Sequence, residues 1–142
     1  MEEIESVGLL FNSYGIKTIE LNTALPQLLK KGQANEVGLD VQFSKEIIKL
    51  NDNEFSVDLG VEITGMDSNQ KNVINLKICM EGYFELIGNP SDKEFEDSAN
   101  INAVSILFPY LRTVVSTITI LSNFNKIDLP PMNIIKWFEL EK

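Results

Sequence analysis

The sequence predicts a single α+β domain in which a four-stranded antiparallel sheet is followed by one long and one short helix. Three observations lead to this prediction. Apolar and polar residues alternate through four successive stretches of the first 87 residues, as in strands with one buried face. From about residue 100 the apolar spacing changes to three and four, which is typical of a helix. The 142 residues are one domain's length, so we expect one core over 1–142.

Four strands are predicted at about 7–21, 36–50, 54–65 and 72–87. In the first strand, Gly15 and a change of apolar parity predict a bulge. Polar turns of hairpin length separate the later strands. The four strands are therefore expected to form an antiparallel meander.

The connection between the first two strands is unusually rich in leucine, with Leu25 and Leu28 among its apolar residues. Two interpretations remain open. The connection either folds over the core or forms the lip of a binding surface. After the fourth strand, the acidic segment 92–97 is expected to be a solvated connector, because it lacks the ligand spacing of a calcium loop.

The helices are predicted at about 100–123 and 134–141, the second with Asn133 as its N-cap. β-branched residues and Pro109 argue against the long helix by propensity, but its apolar spacing favours it. One stripe should pack on the sheet: Val104, Leu107, Leu111, Val114, Ile118 and Leu121. A second apolar stripe should be covered by another subunit: Ile106, Tyr110, Val115 or Thr117, Ile120 and Phe124.

Composition excludes several functional classes. A formal charge of −9 makes nucleic acid and anionic membrane surfaces unfavourable partners. The N-terminus has no signal-peptide pattern, the apolar runs are short, and the single Cys79 can form no internal disulfide, so we expect a cytoplasmic protein without a membrane span.

The residues needed for common chemistry are also missing from the sequence. The chain has no histidine, which excludes histidine-based triads and most zinc sites. Its eight glycines form no phosphate-binding motif. We therefore expect no enzyme, metal or cofactor; an acid–base pair such as Glu81 and Glu85 would need a cleft that the sequence does not indicate.

Two stretches resemble a known family. The sequence I-L-F-P-Y-L-R at 106–112, followed by Phe124 and by L-P-P-M-N at 129–133, is similar to the bacterial export chaperone SecB, whose pattern is close to I-L-F-P-Y-x-R, then F and L-x-P-[VIM]-N. Gly82 with Phe84 resembles the family's G-x-F, and Tyr14 with Ile19 resembles its first strand.

The resemblance implies a SecB-like fold, a dimer of dimers, and an ATP-independent holdase that binds unfolded polypeptides or preproteins in surface grooves. The residues expected to line the grooves are Leu25, Leu28, Phe84, Leu129, Met132, Ile134 and Trp137. The subunit interface is expected to include Ile106, Tyr110, Thr113, Thr117 and Ile120. Two alternatives stay open: a dedicated chaperone of one partner such as an antitoxin, and a structural oligomer that binds no client.

The resemblance also implies the motor ATPase SecA as a partner, bound by acidic and apolar residues of the exposed sheet face. The corresponding positions here are Thr18, Asn22, Asn75 and Lys77, which are not acidic. In the family a tail follows the second helix, and the sequence up to Lys142 shows no counterpart of that tail. The sequence therefore does not establish delivery to SecA.

Overall fold

The computed structural model describes residues 8–24, 37–122, 127–130 and 132–140 of the chain. Four antiparallel strands are followed by helices, which confirms the predicted α+β class. The elements are β1 (Gly8–Thr23), β2 (Gly38–Lys49), β3 (Glu54–Met66), β4 (Asn72–Ile87), α1 (Asp92–Asp97), a π-helical segment (Ser98–Ala103), α2 (Val104–Leu121) and α3 (Ile134–Leu140).

The strand order is β1-β4-β3-β2, so the predicted four-stranded meander is wrong in one respect. Strands β2, β3 and β4 follow one another as hairpins, but β1 pairs with β4 rather than with β2. The connection from residue 24 to residue 37 is far longer than a hairpin loop of about 2–5 residues. It can therefore link the two opposite edges of the sheet.

The core lies on one face of the sheet, here called the inner face, against which the helices pack. Alternate residues of β3 and β4 point into it, as the sequence pattern predicts, and are almost fully buried. Aromatic rings continue across the strands: Phe84 stacks between Phe11 at 5.0 Å and Phe55 at 5.4 Å, and Phe55 meets Phe95 of α1 at 5.2 Å. Each fully buried side chain of this size contributes roughly 1.5–3 kcal/mol to stability.

The two edge strands differ in regularity. Pairing of β1 with β4 shifts register twice, once on each side of Gly15, in agreement with the predicted bulge. Lys17 lies in the second shift, and its Nζ donates to Asp58 Oδ2 at 2.7 Å on the outer face. Strand β2, in contrast, pairs with β3 from Gly38 to Lys49 without any shift.

The acidic segment predicted as a connector is helical instead, which corrects the sequence interpretation. Ser91 caps α1 with a capping box: its Oγ accepts from the Glu94 amide at 3.1 Å, and Glu94 Oε1 accepts from the Ser91 amide at 3.0 Å. These hydrogen bonds lower the pKa of Glu94. Of the acids that resembled a solvated loop, Asp92 and Glu94 occupy the first turn of a helix, where negative charge is favourable.

Helical structure is continuous from Asp92 to Leu121 through the π-helical segment. By length and composition alone this stretch would be sufficient to cross a bilayer, although the apolar runs of the sequence are short. In the fold it packs across β3 and β4, and Leu107, Leu111 and Val115 on its inner side are fully buried. These contacts are those of a core helix.

The buried stripe of α2 differs from the predicted one. The buried side chains are Val104, Leu107, Phe108, Leu111, Val115 and Thr119, whereas Leu121 is 76% exposed. The predicted stripe used alternating spacings of three and four, a period of 3.5. On a straight helix with 3.6 residues per turn such a stripe drifts by about 20° per heptad, so its last members leave the sheet.

Candidate polypeptide-binding and subunit surfaces

An aromatic corner forms where β2 meets α2 and α3. It consists of Phe43 of β2, Phe108 of α2, and Trp137 and Phe138 of α3. The ring of Phe43 meets Phe108 at 5.7 Å and Trp137 at 5.2 Å, both edge to face, and Trp137 meets Phe138 at 5.2 Å. Because Trp137 and Phe138 are only half-buried, the corner presents aromatic surface to solvent.

The two halves of the sequence motif meet beside this corner. Arg112 of α2 donates from Nε to the carbonyl oxygen of Leu129 at 3.0 Å, and its guanidinium lies 5.9 Å from the centre of the Phe108 ring. Thr119 Oγ1, which is buried, accepts from the Ile127 amide at 3.0 Å. These contacts hold the segment 127–130 against α2 and thereby position α3.

Helix α3 begins where the sequence predicts. Asn133 Oδ1 accepts from the Lys136 amide at 3.1 Å, as an N-cap does. From this start, Trp137 lies against Phe43 and Phe138 lies under Lys45, whose Nζ is 4.7 Å from the ring centre. The cap and the motif together fix the orientation of the corner.

Six of the seven predicted groove residues fall into three groups. Met132 and Trp137 are half-buried next to the core, whereas Leu129 and Ile134 are buried beneath them. Leu25 and Leu28 lie outside the described residues. The structure thus brings four of the seven predicted residues to one side of the sheet, two of them with exposed surface.

Phe84 does not belong to this group, which corrects the prediction. Its side chain is fully buried between Phe11 and Phe55. Phe43 of β2 pairs with Val61 of β3, which pairs with Ile78 of β4. Phe84 lies six positions beyond Ile78 along β4. At about 3.3 Å per residue, this is roughly 20 Å from the corner. Gly82 and Phe84 therefore form a packing motif.

Sequence reasoning missed Phe43, Phe108 and Phe138 as members of the corner. Strand alternation places Phe43 on the inner face of β2, but the proximity of β2 to α3 depends on the strand order. The signal available was the cluster of Trp137 and Phe138 on a short helix. Such a cluster indicates an apolar surface, but it does not indicate the strand that the surface adjoins.

A second apolar surface, here called the α2–β1 surface, combines the outer side of α2 with the inner face of β1. The rings of Tyr14 and Tyr110 are tilted by 40° with their centres 4.3 Å apart, and Phe11 meets Tyr110 at 5.7 Å. Tyr14 is 51% exposed and Ile120 is 54% exposed. The surface contains Tyr14, Ile16 and Ile19 of β1 and Ile106, Tyr110, Thr113, Thr117 and Ile120 of α2, so all five predicted interface residues lie on it.

The outer face of the sheet is polar. A depression of about 310 Å³ lies over Gly60, with Ser44, Thr18 and Cys79 around it, and a second one of about 240 Å³ includes Asn22, Asn75 and Lys77. The four positions that correspond to the SecA-binding positions of the resembled family therefore line these depressions.

Cys79 is poorly suited to nucleophilic chemistry. Partial burial raises the pKa of its thiol, and the nearby carboxylate of Asp58 raises it further. The thiolate is the reactive form, so a raised pKa makes the side chain less reactive. Within the described ranges, no group of three acidic or cysteine side chains is arranged to hold a metal ion.

Comparison with known proteins assigns the family. Residues 14–142 match the protein family described as "Preprotein translocase subunit SecB". The chain belongs to the SecB family. The protein-export protein SecB of Dichelobacter nodosus is 27% identical over 120 residues, which are 84% of this chain and 74% of that protein. An uncharacterized protein of Methanocaldococcus jannaschii is 30% identical over 134 residues, which are 94% of this chain and 84% of that protein.

A solved structure shares the SecB fold. The SecB-like chaperone of Mycobacterium tuberculosis, in complex with a ChAD peptide from the HigA1 antitoxin, matches with a TM-score of 0.69 over 87% of this chain and 90% of that chain. At 13% identity this likeness shows a common fold. The resemblance found in the motif is therefore confirmed, and membership of the SecB family supports a chaperone role.

Proposed function

We propose that this protein is an ATP-independent holdase of the cytoplasm that binds non-native polypeptides at the aromatic corner. The observation that carries the proposal is the half-exposed Trp137 packed beside Phe43 at the edge of the sheet. Unfolded chains expose apolar segments that native proteins bury, and exposed aromatic surface binds such segments. Several weak contacts of this kind along one client add up to useful affinity.

The experiment uses Trp137, the chain's one tryptophan, as a reporter. An unfolded client without tryptophan should shift the Trp137 emission to shorter wavelength and should aggregate less, with no nucleotide present. The same client in its native state should do neither. A client that aggregates unchanged, with no shift, contradicts the proposal.

A matched variant separates the corner from the rest of the surface. In the double variant Trp137→Phe with Leu50→Trp, the reporter lies in the loop after β2, at a position that is 53% exposed. Client binding should leave its emission unchanged while aggregation is still suppressed. An equal shift at both positions would mean that the client has no preferred site.

We also propose that the α2–β1 surface binds a second copy of the chain and that a dimer of dimers forms. The surface combines exposed large apolar side chains with the small hydroxyl residues Thr113 and Thr117, which allow two helices to approach closely. An apolar face of this kind on a soluble chain is best satisfied by an identical face.

The range of partners is a separate proposal. An export chaperone would bind preproteins and deliver them to SecA. A dedicated chaperone would bind a single partner such as an antitoxin, and a structural oligomer would bind no client. The neutral or basic Thr18, Asn22, Asn75 and Lys77 favour a dedicated partner over SecA. Affinity capture from the native cell should then return one abundant polypeptide; many polypeptides together with SecA would support export.

A further inference from the structure

Strand β1 contains one extra residue, Lys17, at the second of its two register shifts. Ile16 pairs with Met80 of β4. Three residues later, Ile19 pairs with Ile78, which is only two positions away along β4. A bulge of this kind reverses which residues of a strand point to each face of the sheet. Because of the bulge, Ile16 and Ile19 both lie on the inner face although they are an odd number of residues apart.

The bulge therefore builds the β1 part of the α2–β1 surface. Ile16 and Ile19 are 50% and 37% exposed, and they belong to that surface together with Tyr14. Moving the extra residue along β1 would turn one of these side chains to the outer face. An interaction that fixes the bulge at Lys17 thus also fixes the composition of the surface.

The backbone alone would favour a different place for the extra residue. Gly15 lies two positions before Lys17, and glycine adopts the conformations of a bulge at lower cost than a residue with a Cβ. A bulge at Gly15 would pair Ile16 with Glu81, whose side chain lies on the outer face. Lys17 would then pair with Met80 and point to the inner face. An interaction of Lys17 is therefore needed to favour the observed register.

Lys17 makes such an interaction on the outer face. Its Nζ donates to Asp58 Oδ2 at 2.7 Å and lies 3.8 Å from Glu81 Oε2. Asp58 belongs to β3, and β4 lies between β1 and β3, so the lysine side chain extends across a whole strand. The hydrogen bond to Asp58 and the charge of that carboxylate raise the pKa of Lys17. The side chain is therefore held as an ammonium group.

The position of Asp58 makes this ammonium group important. Asp58 is only 7% exposed and pairs with Glu46 of β2 on one side and with Glu81 of β4 on the other. Like charges directly opposite each other on neighbouring strands destabilise a sheet. Asp58 Oδ1 is also buried, and among the described residues it makes no hydrogen bond. Loss of the cation that Asp58 contacts would be costly, because a buried charge would lose its compensation.

We propose that the Lys17–Asp58 ion pair on the outer face selects the register of β1 and thereby determines whether the α2–β1 surface can bind a second copy of the chain. This inference rests on the proposed subunit interface and identifies a positioning residue outside that interface. Lys17 acts through Ile16, which it holds on the inner face. Without the ion pair the extra residue moves to Gly15, and the surface loses an apolar side chain.

The first test removes the charge of Lys17. In Lys17→Gln, the dissociation constant of the association, measured by sedimentation velocity over a concentration series, should rise about tenfold or more, because a polar side chain replaces Ile16 in the surface. Lys71→Gln, at an exposed lysine in the turn between β3 and β4, is the matched control for net charge and should leave the constant unchanged. Equal effects of the two variants overturn the proposal.

A second substitution separates register selection from a general loss of stability. Gly15→Val is compatible with the observed register, because a Cβ at Gly15 meets nothing within 4 Å. A β-branched side chain favours extended backbone and disfavours the helical or left-handed conformation of a bulge. Gly15→Val should therefore restore most of the association that Lys17→Gln loses. A double variant that associates no better than Lys17→Gln overturns register selection.

The outcomes also distinguish this inference from the interface on which it rests. If Ile120→Glu dissociates the protein and Lys17→Gln does not, the interface stands and register selection is overturned. If neither variant changes the association, or if the unaltered protein is a monomer, both proposals are overturned.

Discussion

Several polar side chains of this protein are held by specific partners, and the consequences of removing them can be predicted. Thr119 was one of the β-branched residues that argued against a helix. In the structure its Oγ1 donates to the Val115 carbonyl at 2.9 Å and accepts from the Ile127 amide at 3.0 Å. The hydroxyl is thus satisfied inside α2 and also anchors the segment that leads to α3.

Thr119→Val should lower the free energy of unfolding by about 1–3 kcal/mol, because the buried Ile127 amide loses its acceptor while the side-chain volume is kept. Urea denaturation measures the loss. Thr18→Val, on the exposed outer face, is the control and should change stability by less than about 0.5 kcal/mol. Equal effects of the two would mean that the Thr119 hydrogen bond contributes nothing.

Tyr83 should make the fold sensitive to alkaline pH. Its hydroxyl donates to Glu54 Oε2 at 2.5 Å, and this hydrogen bond is the main cause that raises the pKa of Tyr83 from 10.0 to about 12. The folded pKa lies above the unfolded one, so the stabilisation is fully present below pH 10.0 and is lost as the pH approaches 12.

The phenolate absorbance of Tyr83 is obtained by subtracting the absorbance of the Tyr83→Phe variant from that of the native protein. This difference should appear near pH 12. Glu54→Gln should move this titration toward 10.0, because the carboxylate acceptor is gone. A Tyr83 titration near 10.0 in the unaltered protein would show that the contact with Glu54 does not persist in solution.

At the scale of elements, alternation in β3 and β4 was sufficient to predict their buried faces, because a strand's side chains alternate regardless of its neighbours. The position of β1 was not predictable from such local patterns, since strand order depends on the path of a long connection. The same dependence hid the aromatic corner: the sequence predicted Trp137, but it did not predict the contact of Trp137 with Phe43. Helix α1 was missed because its acids were interpreted without the cap at Ser91.

Packing of α2 on the sheet depends on Gly82. A Cβ at this position would lie 2.8 Å from Leu107 Cδ2 and 2.8 Å from Phe84 Cε2. Gly82→Ala should therefore cost about 1–3 kcal/mol of stability, because the helix or the Phe84 ring must move. Thermal unfolding followed by circular dichroism measures it. Gly15→Ala, where a Cβ meets nothing within 4 Å, is the matched control and should be neutral or slightly stabilising.

At the scale of the whole molecule, the α2–β1 surface should determine the association state. Ile120→Glu places a charge at the outer side of α2 and should convert the proposed tetramer to smaller species in sedimentation velocity. Leu50→Glu, at a similarly exposed residue away from this surface, should leave the sedimentation coefficient unchanged. An Ile120→Glu variant that sediments like the unaltered protein would place the interface elsewhere.

The difference between the two edges of the sheet also affects how readily copies of the protein aggregate through strand pairing. A molecule with two regular edges could stack indefinitely into a fibril, each copy extending the last. The two register shifts in β1 make that edge a poor template for a further strand. Growth of such a stack through both edges of the sheet is therefore disfavoured.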